Sequence, residues 1–185
     1  NTADWRQQQN RTLKLLNNGK IYIAQSGAGV EDIQERLWYL ANFLLLKHHR
    51  SYVNIFVRGP GLEGQLHWRP EYELRLGRAV RPLPKTIDEC RHPTGVYYRE
   101  FERGLVLVNP QPNPQTVRLA GEQVYQRVEP WGGGIVDAGG RPPRGGVRLH
   151  DCGREIRLEP WSGVILLKAA ASEPPQEKSS TKHSE

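Results

Sequence analysis

Tyr98-Arg99-Glu100-Phe101-Glu102-Arg103-Gly104-Leu105-Val106-Leu107-Val108-Asn109-Pro110 is the stretch from which the rest of the chain is read. It predicts a tight β-hairpin. Phe101 ends one strand, Glu102-Arg103-Gly104 turns, and Leu105 to Val108 is a short continuous apolar run. Such a run suits a strand covered on both faces. Asn109-Pro110 stops it, because proline has no N–H for a ladder and asparagine favours turns.

After the hairpin the pattern is strands only: Val96–Phe101, Leu105–Asn109, Thr116–Ala120, Gln123–Val128, Val147–His150, Glu155–Glu159 and Val164–Lys168. Short strands at turn-rich intervals indicate an antiparallel sandwich over residues 95–168. Trp131 to Gly146 carries seven glycines and reads as a loop or hairpin tip. Residues 169–185, rich in Ser, Pro, Glu and Lys, read as a disordered tail.

Before the hairpin the pattern is different. Asp4 to Leu16 reads as a helix, with Thr2 or Asp4 as N-cap and Asn17-Asn18-Gly19 as its stop. Lys20 to Gln25 is a short strand. Val30 to Lys47 is the strongest helix, with Ile33, Leu37, Leu40, Ala41 and Leu44 on one stripe and Trp38, Phe43, Leu45 and Leu46 widening it. A helix this apolar is covered on two sides. Ser51 to Val57 is a second strand, and Glu71 to Gly77 alternates and reads as a short strand or an extended segment with Tyr72, Leu74 and Leu76 inward. Helix, strand, helix, strand with short joins is βα repetition with parallel strands. Residues 81–94, with three prolines, read as a linker between this α/β part, 1–80, and the sandwich.

Two parallel strands leave faces and edges uncovered. The chain also has no methionine and starts inside a helix. A piece of a longer protein is the expectation.

With 185 residues, 37% hydrophobic and 25% charged, the chain is expected to be globular, and no apolar run approaches the roughly 20 residues of a spanning helix. The charge of +6 comes from 26 basic and 20 acidic residues, with arginines spread and paired with acids as in Arg99-Glu100. Nucleic-acid binding calls for clustered cations with interleaved aromatics, so neither nucleic acid nor membrane is expected as a partner. Cys90 and Cys152 form one disulfide or none, and they lack metal-ligand spacing. Adjacent helical histidines such as His48 and His49 point about 100° apart and cannot share a metal. No metal or cofactor is expected. Compartment and oligomeric state stay open.

Four stretches carry a family resemblance: Leu40 to Lys47, His67 to Ala79, Tyr97 to Pro110 and Leu158 to Leu167. Together they resemble the C-terminal end of bacterial glycoside hydrolases with a (β/α)8 barrel followed by a small β-sandwich. The resemblance implies a fold of α/β plus all-β class: the last βα units of an incomplete TIM barrel, then the sandwich. About six further βα units would precede them. It implies a carbohydrate substrate, a polysaccharide or glycoconjugate. The catalytic carboxylates would lie on earlier strands, so the catalytic residues are unknown and the chain alone is expected to be inactive.

Substrate-binding candidates lie after the two strands: Gln25 after the first, and Glu63, His67, Trp68, Glu71 and Glu73 in the loop after the second. Trp68 is suited to stack on a sugar ring and Glu71 to bind a hydroxyl. The alternative packs Trp68 at the domain junction and pairs Glu71 with Arg69 or Arg75. Ser26-Gly27-Ala28-Gly29 reads either as a phosphate cradle, which Asp32 disfavours, or as an ordinary βα loop. Trp131 and Trp161 form either a carbohydrate platform or part of the core and seam. The alternative function is a non-catalytic carbohydrate-binding or interaction module.

Overall fold

In the computed structural model, which describes residues 1–59, 61 and 64–169, the hairpin forms and its second strand lies within a five-stranded sheet. β4 (Tyr97–Phe101) pairs antiparallel with β5 (Gly104–Asn109), with Phe101 opposite Gly104, so the turn is Glu102-Arg103 alone. β5 is buried along its whole length. Leu105 and Leu107 point to one face and Val106 and Val108 to the other, each into a separate apolar cluster. The continuous apolar run thus reflects cover on both faces.

The first face belongs to the antiparallel part. β6 (Gln115–Arg118) and β10 (Glu155–Leu158) pair with each other, and their Val117, Ile156 and Leu158 meet Leu105, Leu107, Val164 and Leu166. β11 (Ser162–Lys168) lies between β5 and β7 (Tyr125–Gly132), and β9 (Gly145–Cys152) forms the outer edge beside β7. The glycine-rich stretch after Trp131 is more ordered than its composition suggests. β7 and β9 form a long ladder reaching Gly132 opposite Gly145, and β8 (Gly134–Ile135) pairs with β3 (His67–Trp68).

The second face belongs to a helix. α2 (Ile33–Leu45) begins at Asp32, whose carboxylate accepts the Glu35 N–H at 3.0 Å. One flank of α2 lies on the five-stranded sheet and the other on the parallel strands β1 (Tyr22–Ala28) and β2 (Ser51–Val57). That explains why its apolar stripe is wider than one face. Gly163 permits the approach: a Cβ built there would stand 2.5 Å from Ala41 Cβ and 2.6 Å from the Leu37 carbonyl.

α1 (Thr2–Asn17) is capped by Asn1, ahead of both expected caps, Thr2 and Asp4, and stops at Asn17–Gly19 as its sequence indicates. Its Trp5, Leu13 and Leu16 join the same cluster as α2, Val106 and Ile165. Residues 81–94 pack rather than hang free. The turn Ile87–Cys90 carries a capping box and buries Ile87, whose N–H donates to Asn10 Oδ1 at 2.8 Å.

Among the described residues β1 and β2 form a two-stranded parallel sheet, with the strand direction expected of the βα order, and there is no closed barrel. Other expectations are corrected. Glu71 to Gly77 is not a strand; Pro70–Glu73 forms a 3₁₀ turn with Pro70 in its first turn, where a missing N–H is tolerated. Ser26 to Ala28 continues β1 and is not a loop. α2 ends at Leu45, so His48 and His49 follow it, with ring centroids 4.0 Å apart. Of the two alternatives left open for Cys90 and Cys152, the structure has the unpaired one, with the two free thiols in separate clusters. No described helix is long and apolar enough to cross a membrane. The expected tail beyond residue 169, and Glu63, lie outside the described residues.

Candidate functional site

The candidate residues gather where the carboxyl ends of β1 and β2 meet the segment 67–75. The Tyr22 N–H donates to the Arg50 carbonyl and the Arg58 N–H to the Ala28 carbonyl. Those two bonds fix the parity of the ladder. Even-numbered residues of β2 bond to β1, and Val53, Ile55 and Val57 turn their amides to the outer edge.

Three side chains close the upper part of that edge. The Tyr72 hydroxyl accepts the Ile55 N–H at 2.7 Å, His67 Nδ1 accepts the Val57 N–H at 3.0 Å, and Arg69 Nε donates to the Ile55 carbonyl at 3.1 Å. Arg69 Nη2 also reaches the Ala28 carbonyl at 2.9 Å and Nη1 the Gly29 carbonyl at 3.3 Å, so one guanidinium ties both strand ends. Burial, then the neighbouring Arg36, lowers the Arg69 pKa from its ordinary value. Burial likewise raises that of the Tyr72 hydroxyl. The upward shift keeps the Tyr72 hydroxyl protonated at neutral pH.

Behind this strap lies a buried ion pair. Glu71 takes Arg36 of α2 as its partner, not Arg69 or Arg75. The Arg36 guanidinium also donates to the carbonyls of Val30, at 2.5 Å, and Gly132, at 2.9 Å. It therefore joins the loop before α2, the 3₁₀ turn and the end of β7.

Trp68 points away from this core. It lies against β9, where a Cβ on Gly145 would stand 3.0 Å from its ring, and its Nε1 donates to Glu73 at 3.3 Å. Trp68, Pro70, Glu73, Arg75, Gly145 and Leu149 line an open groove of about 450 Å³. The groove thus brings an aromatic ring, a carboxylate and a guanidinium together.

Gln25 is on a different surface. It stands opposite Asn54 on the face of the parallel sheet turned away from the helices, and both neighbours on that face, Ile23 at 61% and Tyr52 at 56%, are largely exposed. The structure therefore brings His67, Trp68 and Glu71 together, with His67 and Glu71 buried and Trp68 half-buried, and sets Gln25 apart. The sequence named Arg69 only as an alternative partner of Glu71 and did not single out Arg36 or Tyr72 as site residues. Arg36 gave a signal, since it is a cation on the apolar stripe between Ile33 and Leu40; nothing local marked Arg69 as the tie between the strand ends.

Trp161 is at φ 51° and meets Trp38 of α2 edge-on, 6.1 Å between centroids. Trp131 is 40% exposed, with the Arg148 guanidinium 5.7 Å over its ring. Among the described residues no group of three or more His, Cys, Asp or Glu side chains is arranged to hold a metal.

No curated protein matches the chain. One solved structure, a β-porphyranase of glycoside hydrolase family 86 from the human gut bacterium Bacteroides plebeius, is similar at 14% identity and a TM-score of 0.35 over 91% of this chain. The chain spans 39% of that protein's length. The sequence model of hypothetical glycosyl hydrolase family 15 matches residues 1–105, more than half of the 185 residues, and the chain belongs to that family.

Proposed function

We propose that the chain is the C-terminal part of a glycoside hydrolase acting on a polysaccharide or glycoconjugate, inactive by itself. In this reading residues 1–80 supply the last two strands of a (β/α)8 barrel, 81–94 a connection, and 95–168 a supporting β-sandwich. The single observation that carries it is the bare face of the parallel pair. Ile23 and Tyr52 are exposed there beside Gln25 and Asn54, although parallel sheets are ordinarily covered on both faces. The missing strands would cover that face and pair with the free edge of β1. A strand closing the ring would pair with β2 below its side-chain seal, at Ser51 to Val53. Trp68 in its groove and Gln25 on the face inside the ring then contact sugar at separate points, while His67 holds the end of β2 and Glu71 holds the 3₁₀ turn onto α2.

The test compares this chain with the whole gene product on a panel of polysaccharides. Hydrolysis only by the longer protein is expected, as is a raised KM for its Trp68→Ala variant. Equal activity of the two proteins would defeat the proposal.

The half-exposed Trp131 favours a second reading, a non-catalytic carbohydrate-binding module. Glycan binding by this chain, lost in Trp131→Ala and retained in Trp68→Ala, would select it.

A further inference from the structure

A half-enclosed cavity of about 380 Å³ lies between the stretch Arg81–Lys85, the turn Ile87–Cys90 and β4. It shares no lining residue with the Trp68 groove. Three cations line it: Arg81, Lys85 and Arg99. Arg99 is 6% exposed, and its Nη1 donates to the carbonyls of Leu45 and Lys47, each at 2.9 Å, at the C-terminal end of α2. That helix end supplies about half a negative charge, which offsets the buried cation only in part. The Arg99 Nε is buried with no hydrogen-bond partner. A buried donor on a charged group without an acceptor is costly, and the Phe101 ring, 5.7 Å from the guanidinium carbon, does not replace one.

Two carboxylates, Glu89 and Glu100, share the wall, so its cations exceed its acids by one. Glu89 Oε1 accepts the N–H groups of Lys85 and Thr86 at 3.0 and 3.1 Å, and Glu100 Oε1 pairs with Lys168 Nζ at 3.2 Å. Burial pushes the Cys90 thiol up, so this part of the wall is neutral. Arg81, Lys85 and Arg99 form no ion pair among the described residues, whose charged pairs lie elsewhere.

We propose that this cavity binds a small oxyanion, the carboxylate or sulfate group of an acidic ligand, with Arg99 as the buried donor and Arg81 and Lys85 closing over it. Charge-assisted hydrogen bonds to a fixed guanidinium fit such a group better than a point cation does. The assignment is independent of the glycosidase reading, since it rests on the cavity, the orphaned Arg99 donor and the excess of one cation on the wall.

The experiment titrates the chain with sodium sulfate, sodium acetate and sodium glucuronate at constant ionic strength, following the Arg99 Nε–H resonance by NMR. Saturable shifts are expected. Saturation by sulfate alone assigns a tetrahedral anion, and saturation by the two carboxylates assigns a planar one. Arg81→Ala/Lys85→Ala, both surface changes, is expected to weaken binding roughly tenfold or more. Arg99→Lys keeps the charge but loses the Nε donor and should weaken it comparably, with circular dichroism reporting that the fold is retained. Non-saturating titrations with all three salts, or unchanged affinity in the Arg81→Ala/Lys85→Ala variant, would overturn the proposal.

Discussion

Arg36 and Glu71 meet in a two-point ion pair with both side chains 0% exposed: Nε to Oε1 at 2.9 Å and Nη2 to Oε2 at 2.6 Å. They are 35 residues apart in sequence, and the pair holds the 3₁₀ turn onto α2. Breaking a buried pair from one side leaves an uncompensated charge, which costs about 3–5 kcal/mol. Glu71→Gln should lose stability of that order in urea denaturation. Arg36→Met/Glu71→Leu, which removes both charges, should lose much less. A Glu71→Gln loss below about 1 kcal/mol, the range of exposed pairs, would mean that water reaches the site.

The contact of α2 with β11 has no spare room at Gly163. Gly163→Ala forces its Cβ toward Ala41 and the Leu37 carbonyl, and overpacking of this kind costs about 1–3 kcal/mol. Ala41→Gly in the same chain should recover part of that loss. A double-mutant cycle reads the coupling directly, and strict additivity would place the two residues out of contact.

Acid should weaken the protein through His48. Burial, then His49, Arg50 and Arg99, lowers its pKa below the ordinary histidine value. The folded state therefore resists a proton that the unfolded chain accepts. Stability is fully present above the unfolded pKa of about 6.5 and falls as pH drops below it. His48→Gln should flatten the pH dependence of the urea midpoint between neutral pH and the folded pKa. An identical profile in the variant would assign the acid sensitivity to other groups.

Local pattern made the hairpin, the run Leu105–Val108 and the βα order legible, because each depends on neighbours within a few residues. The two-sided cover of α2 was legible from the width of its stripe. What escaped was set by distant partners. The Glu71 turn alternates like a strand, yet Pro70 and the bond to Arg36 make it helical. The glycines after Trp131 looked like slack. Gly145 instead admits Trp68, and Gly146 lies against the Trp131 ring, where a Cβ would stand 3.0 Å from its Nε1. The seal on β2 joins Tyr72, Arg69 and His67 to backbone 10 to 17 residues earlier, which no periodicity records.

The two edges of the parallel pair differ, and their amide hydrogen exchange tests the reading of an incomplete sheet most directly. Ile55 and Val57, on the edge closed by Tyr72 and His67, should exchange slowly, and Tyr72→Phe should speed Ile55 selectively. Ile23 and Gln25 turn to the edge of β1 opposite β2, its ladder partner among the described residues, and should exchange rapidly. Protection at Ile23 and Gln25 equal to that at Ile55 and Val57 would contradict the account, because β1 would then have its neighbour already.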